Sequence, residues 1–520
     1  MTKKILSLAI LAGVVLSSCT GKFEEYNRDL YGATDEDLLR TAQNGNELKN
    51  LITWVVPNQE NGYQMTFSIV GGPLSGFAAA TGFIDDIASY TPRSGWVQYP
   101  YQDTYANHLY PNFRPILNTS KGDLSQPNYA IGSILRIAIT HYVSDIYGPV
   151  PYSKVTGISL DAVYDTQKEL YTAMLADLKA ATEALDANPI VAEKYADYDD
   201  VYGGDLRKWA KYARSLMLRM SLRISKADPA MAQEYAEWAV SKGVITENAD
   251  NAEIKSNDNP YTKIEQNWSD QRVGADIVGY LTAYKDPRLE KMVNPGSTGL
   301  FVGLIAGEKD IKKDTETLNK YAYTNTTNTS PMMWISAAEV SFLKAEGKLL
   351  GWNMGAEDAK TLYENGIRLS FEQWGASGVE DYLKVTFLRK GYVDPIQPDH
   401  SNPDFKSDVT VAWDSAKGDV EAEKAMIATQ KWIALFPYNT IEAWAEWRRT
   451  GYPNLLPALV NKSGGAVEDI HRVNGRDRGG MRRLTFPQSE YENNNAGLQS
   501  GLQDLGGKDS YATDLWWAKQ

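Results

Sequence analysis

Apolar residues recur along this chain in steps of three and four, the spacing of one buried helix face. Ile131, Leu135, Ala138 and Tyr142 set such a stripe, and Tyr147-Gly148-Pro149 predicts its end, because glycine caps and proline cannot continue a helix. Tyr171, Leu175, Leu178 and Leu185 predict a second helix, and Trp209, Ala213, Leu216, Met220 and Ile224 a third. Asp228-Pro229 reads as a cap and first helical position for a fourth, carrying Ala232, Ala236 and Ala239. Later stripes are Ile335, Ala338, Phe342, Ala345 and Leu349, then, across Gly351 and Gly355, Ala359, Tyr363, Gly366, Ser370 and Trp374. A last pair covers Ala422 to Phe436 and Thr440 to Thr450, with Trp432, Trp444 and Trp447.

Small residues such as Ala345 and Gly366 on facing stripes let two helices approach, with a bulky ring filling the next gap. This arrangement resembles tetratricopeptide helix pairs, without a strict repeat period. A first helix is expected near Asp35. Residues 57–128 are punctuated by Pro and Gly, with helical pieces expected near Gly76–Ala88 and Tyr101–Leu117. Segments 250–331, 375–420 and 451–520 read as long connections, a length usual for functional loops. No linker-like run divides the chain after Thr34. The expectation is a mainly all-α fold: helix pairs supporting a long-loop, ligand-binding remainder in one domain.

The N-terminus follows a different rule. Lys3 and Lys4 precede an apolar run, Ile5 to Leu16, closed by Leu16-Ser17-Ser18-Cys19. That run is too short to span ~30 Å of hydrocarbon and reads as a processing signal. Cys19 is the single cysteine of the chain, so it has no disulfide partner. Its position resembles the lipobox of bacterial lipoproteins, in which the thiol takes a lipid and becomes the mature N-terminus. The expected organisation is 1–18 signal peptide, 19–34 lipidated tether and 35–520 body.

Charge narrows the partners. Removing residues 1–18 takes away Lys3 and Lys4 and leaves 51 basic against 66 acidic side chains, a net charge of −15. That balance disfavours nucleic acid and electrostatic docking on anionic lipid. The membrane is therefore expected to be reached through the lipid anchor alone. Aromatic content is high, with 14 Trp and 31 Tyr, residues that serve wet binding surfaces as well as cores that satisfy their polar tips.

Catalytic motifs are missing from the sequence. There is no Gly-rich loop ending in Gly-Lys-Ser/Thr and no Gly-x-Gly-x-x-Gly after a strand. The four histidines, His108, His141, His400 and His471, are far apart, and His141 reads as a structural residue. Ser75 is not in a nucleophile elbow. The doublets Asp85-Asp86 and Asp199-Asp200 read as solvated faces. No catalytic residue, metal or cofactor is expected. Two stretches suggest grip instead: Tyr90 to Tyr105, where Arg93, Trp96, Tyr99 and Tyr101 sit among prolines, and Asn267-Trp268-Ser269-Asp270-Gln271-Arg272. Flat rings beside amide, hydroxyl and guanidinium groups suit a sugar, and a Pro-braced loop loses little entropy on binding. Trp209 and Trp374, on helical stripes, are assigned to the core.

The chain resembles the SusD/RagB family of outer-membrane lipoproteins from Bacteroidetes-type bacteria. The resemblance runs through Phe23-Glu24-Glu25-Tyr26-Asn27, Asp145-Ile146-Tyr147-Gly148-Pro149-Val150-Pro151-Tyr152, Asp286-Pro287-Arg288-Leu289 and Ala338-Glu339-Val340 to Ala345-Glu346. It continues through Gln430-Lys431-Trp432, Glu442-Ala443-Trp444, Arg448-Arg449-Thr450-Gly451-Tyr452-Pro453 and Arg482-Arg483-Leu484. It implies four tetratricopeptide-like helix pairs and a site on the outer face of the outer membrane, with Glu24 and Glu25 as the export signal. It also implies a SusC-like TonB-dependent transporter as partner and a non-enzymatic role in capturing a glycan or oligosaccharide. Capture of peptide or another polymer, a surface glycoside hydrolase, and a subunit that only braces the barrel are the alternatives.

Overall fold

The computed structural model describes residues 44–82, 86–155, 162–188, 190–307, 311–313 and 315–519. The signal, Cys19, the tether and the helix expected near Asp35 lie outside them. The main helices are α1 Gly45–Val55, α2 Tyr110–Ser120, α3 Pro127–Tyr147, α4 Gln167–Ala187, α5 Leu206–Arg223 and α6 Pro229–Lys242. They continue with α7 Ala275–Ala283, α8 Ala337–Leu349, α9 Ala359–Gln373, α10 Val420–Leu435, α11 Thr440–Thr450 and α12 Asn495–Asp504. Consecutive helices pack as pairs: α3 with α4, α5 with α6, α8 with α9 and α10 with α11. The mainly α-helical, tetratricopeptide-like fold is therefore as the periodicity predicts.

Local chemistry sets the boundaries. Thr166 and Glu169 form a capping box at α4. Asp205, Asp228, Asp358 and Asp419 each accept backbone N–H groups at the starts of α5, α6, α9 and α10. Gly148 stops α3 at φ 99° and donates to the Ser144 carbonyl. The α8–α9 contact is close because Gly366 has no side chain: a Cβ there would lie 2.7 Å from the Phe342 ring.

Several expectations are corrected. Ile335 is not in α8 but ends a strand, and Ser336 caps the helix by accepting from Glu339 N. Trp374 lies one residue past α9 and is half-buried, whereas Trp209 is fully buried. The helix expected over Gly76–Ala88 is replaced by β1, Ala78–Ala80, because Gly76 takes φ 75° and a strand partner is supplied from far along the chain. That partner is β3, Gln271–Val273, which pairs with β1 antiparallel; β2, Ala252–Ile254, pairs likewise with β6, Met332–Ile335. Two further hairpin-like pairs are β4 Val293–Asn294 with β5 Tyr323–Thr324, and β7 His471–Val473 with β8 Arg476–Arg478. Asp199 is no solvated acid. It is buried and accepts from Val201 N, Tyr202 N, Gly204 N and the Trp209 indole at 2.7–3.0 Å.

A buried charge network ties the helix pairs together. Arg219 of α5 grips Glu339 of α8 with two bonds of 2.7 Å. Arg223 of α5 reaches Glu442 of α11 at 2.6 Å, Asp145 of α3 at 3.3 Å, and Glu446. Lys431 of α10 also pairs with Glu446. Burial opposes ionisation of Glu446, but Arg449, Lys431 and Arg223 outweigh it and hold its carboxyl well below the ordinary range.

Candidate functional site

The first aromatic loop is a short helix, Ser94–Val97, entered from an extended Arg93 whose carbonyl accepts from Trp96 N and Val97 N. Val97 turns inward and its carbonyl accepts from the Tyr147 hydroxyl, so the loop is pinned to α3. Trp96 is left half-buried, with the exposed Arg93 guanidinium 4.7 Å over its ring and ion-paired to Asp86. Tyr99 is 37% exposed. A Cβ on Gly95 would meet nothing within 4 Å, so the loop borders open space. Tyr101 is different. It is buried, its hydroxyl lies 2.8 Å from that of Tyr164, and its ring meets Tyr147 edge-on. It belongs to the core cluster that holds the loop.

The second aromatic stretch is a tight π-helical turn, Lys263–Asn267, that follows a short helix capped by the Asn259 side chain. Trp268 N donates to the Lys263 carbonyl and Ser269 takes φ 54°. Asn267 is exposed and Trp268 half-buried, with the Lys263 ammonium 5.9 Å from its ring. Lys263 also pairs with Glu60 and Asp258. Arg272 is buried and points into the body, donating to the carbonyls of Glu265 and Gln271 at 2.9 Å. Beneath the turn, burial pushes the Glu265 carboxyl up to about 7 despite hydrogen bonds from Thr324.

The second stretch is tied to the chain that follows β1. Thr81 N donates to the Asp270 carbonyl and Thr81 Oγ1 to the Ser269 carbonyl at 2.6–2.9 Å, just after β1 pairs with β3. Lys313 pairs with Asp270, and Gly82 N donates to the Ile311 carbonyl, which adds a third segment. Of the residues singled out in the sequence, Arg93, Trp96, Tyr99, Asn267 and Trp268 thus remain accessible, while Tyr101 and Arg272 are structural supports. Asp86, which pairs with Arg93, and Lys263, which lies beside the Trp268 ring, were not singled out as site residues. Neither spacing nor residue type marks them, because the Asp86–Arg93 pair exists only through the loop's path.

Other clusters have different chemistry. His141, Asp145 and Glu442 bring ligand-type atoms within 4.8 Å of one another. The Arg223 guanidinium already lies 2.6–3.3 Å from both carboxylates, so the group reads as part of the ion-pair core. Burial lowers the His141 pKa, which keeps its ring neutral. A groove of about 750 Å³ beside α7 exposes Leu300, Phe387, Leu388 and Val393. Its apolar lining suits a hydroxyl-rich ring less well than the aromatic loops do.

Comparison with known proteins places the chain. The family model described as SusD-like, SusD and RagB outer membrane lipoprotein, matches residues 25–518. Among solved structures, a SusD homologue from Bacteroides thetaiotaomicron VPI-5482 is 37% identical with a TM-score of 0.84, covering 92% of this chain and 99% of its own. A SusD homologue from Bacteroides uniformis ATCC 8492 is 35% identical, with a TM-score of 0.83 and coverage of 92% and 100%. A chitin-binding SusD homologue from Flavobacterium johnsoniae is 33% identical, with a TM-score of 0.82 and coverage of 92% and 99%. No curated protein sequence matches the chain. No helix among the described residues is long and apolar enough to cross a membrane. The chain belongs to the SusD-like family of outer-membrane lipoproteins.

Proposed function

We propose that this protein is a nutrient-binding lipoprotein that captures a glycan on its aromatic loops and passes it to a SusC-like TonB-dependent transporter. Residues 1–18 serve as signal peptide, Cys19 takes the lipid, 19–34 form a tether and 35–520 the body, facing the cell exterior. Binding is non-enzymatic: Trp96, Tyr99 and Trp268 stack on sugar faces, while Arg93 and Asn267 hydrogen-bond the hydroxyls. The observation that carries this reading is the pair of half-exposed tryptophans, each beside a cation and each on a turn pinned by its own backbone hydrogen bonds. A rigid, prepared aromatic face binds without a large ordering cost.

The chitin-binding relative makes chito-oligosaccharides the first ligands to test. Calorimetric titration of a glycan panel identifies the ligand, and Trp96→Ala and Trp268→Ala are then measured against it. Each is expected to weaken binding about thirtyfold or more, the loss of a stacked aromatic anchor, with little change in melting. Normal binding by both folded variants would move the site away from these loops. Retained binding of peptides in place of glycans would change the ligand class.

A further inference from the structure

A second pocket, of about 350 Å³, lies where the end of α9 meets the turn between α10 and α11, strand β2 and residues 325–333. Its walls include Trp374, Phe436 and Tyr438, and its polar lining includes Glu253, Gln373 and Asn325. No Lys, Arg or His lines it. Glu253 stands on β2 opposite Met333, half-buried, and burial raises its carboxyl above the ordinary range. Its carboxylate has no hydrogen bond or ion pair among the described residues. Several buried carboxylates elsewhere are partnered: Glu339, Glu346, Glu446 and Asp276 each face a guanidinium, and Asp477 faces Arg472 and several N–H donors. Trp374 adds an indole N–H that is buried without an acceptor.

A desolvated negative charge without a counterion is costly, and aromatic walls add a further attraction for cations. The lone carboxylate and the ring walls therefore ask for a ligand that carries a positive charge on a ring able to stack. We propose that this pocket binds the ammonium-bearing ring of an amino sugar, with Glu253 facing the ammonium and Trp374 stacking on the ring. The pocket shares no lining residue with the aromatic loops, although Gln266 of the Trp268 turn reaches the carbonyls of Thr324 and Thr326 beside it. The site is thus separate from the glycan face proposed above.

The test is calorimetric titration of the full chain with glucosamine, N-acetylglucosamine and glucose. Glucosamine is expected to bind at least about tenfold more tightly than either neutral sugar. Glu253→Gln is expected to abolish that preference and to melt no lower than the wild type, because it removes an unpaired carboxylate. Trp374→Ala, which removes the ring wall, is expected to weaken glucosamine binding and leave the order of the three sugars unchanged. Equal affinity for glucosamine and N-acetylglucosamine overturns the proposal, as does glucosamine binding that Glu253→Gln leaves intact, or no binding at millimolar sugar. Trp96→Ala and Trp268→Ala are expected to leave glucosamine binding unaltered, so failure of the loop site and failure of this one are read separately.

Discussion

Arg449 at the end of α11 and Glu346 in α8 form a two-pronged ion pair, Nη1 to Oε1 at 2.6 Å and Nη2 to Oε2 at 2.8 Å, both side chains buried. The same guanidinium holds Glu446 of its own helix at 2.7 Å. This geometry uses the planar fork that lysine lacks. Arg449→Met would leave Glu346 without its partner and Glu446 with fewer, in a medium that punishes lone charges. The expected cost is about 3–5 kcal/mol, with Arg449→Lys recovering part of it. Denaturant melts check this; a wild-type midpoint for Arg449→Met would show that the network does not hold the helix pairs together.

Glu265 gives a pH signature. Its folded pKa of about 7 stands above the ordinary 4.5, so folding favours the protonated acid. That contribution is full below pH ~4.5 and is lost as pH rises through about 7, at a cost of roughly 3 kcal/mol for a shift of this size. Asp477, raised by burial to about 6, acts in the same direction. Glu265→Gln is therefore expected to gain stability relative to the wild type at pH 8 but not at pH 4.5. A constant difference between the two proteins across that range would refute the assignment.

Gly366 offers a packing test. Adding a methyl group there forces the Phe342 ring at 2.7 Å to shift, which costs about 1–3 kcal/mol. Gly95→Ala, whose new Cβ faces open space, serves as the control and is expected to melt like the wild type. Equal melting of both variants would mean that the α8–α9 contact leaves room for the added methyl group.

Lipidation is tested in cells. Acyl chains on Cys19, as proposed, would supply the two-signal strength that stable anchoring needs. Cys19→Ala is expected to incorporate no labelled fatty acid and to leave the membrane fraction. Label persisting in that variant would end the lipoprotein assignment for this chain.

Most of the main helices and much of their capping are legible along the chain, because these depend on local periodicity and short-range hydrogen bonds; α1, α7 and α12 are not, the last two lying in stretches that read as long connections. Stripes such as Ile131 to Tyr142 and caps such as Asp228 are legible from neighbours three or four residues away. Family membership was legible too, since it rests on short motifs spread along the chain. Tertiary structure alone decided which aromatics stay accessible. Tyr101 and Trp96 lie five residues apart in one Pro-rich stretch, yet Tyr101 is buried against the Tyr164 hydroxyl and Trp96 stays half-exposed. Arg272 and Trp268 divide in the same way. The strand at Ala78–Ala80 depended on a partner nearly two hundred residues away, and the fates of Asp199 and Glu253 depended on what packed around them. Burial and charge pairing are set by distant contacts that no local pattern encodes, and those contacts separate a binding ring from a core ring.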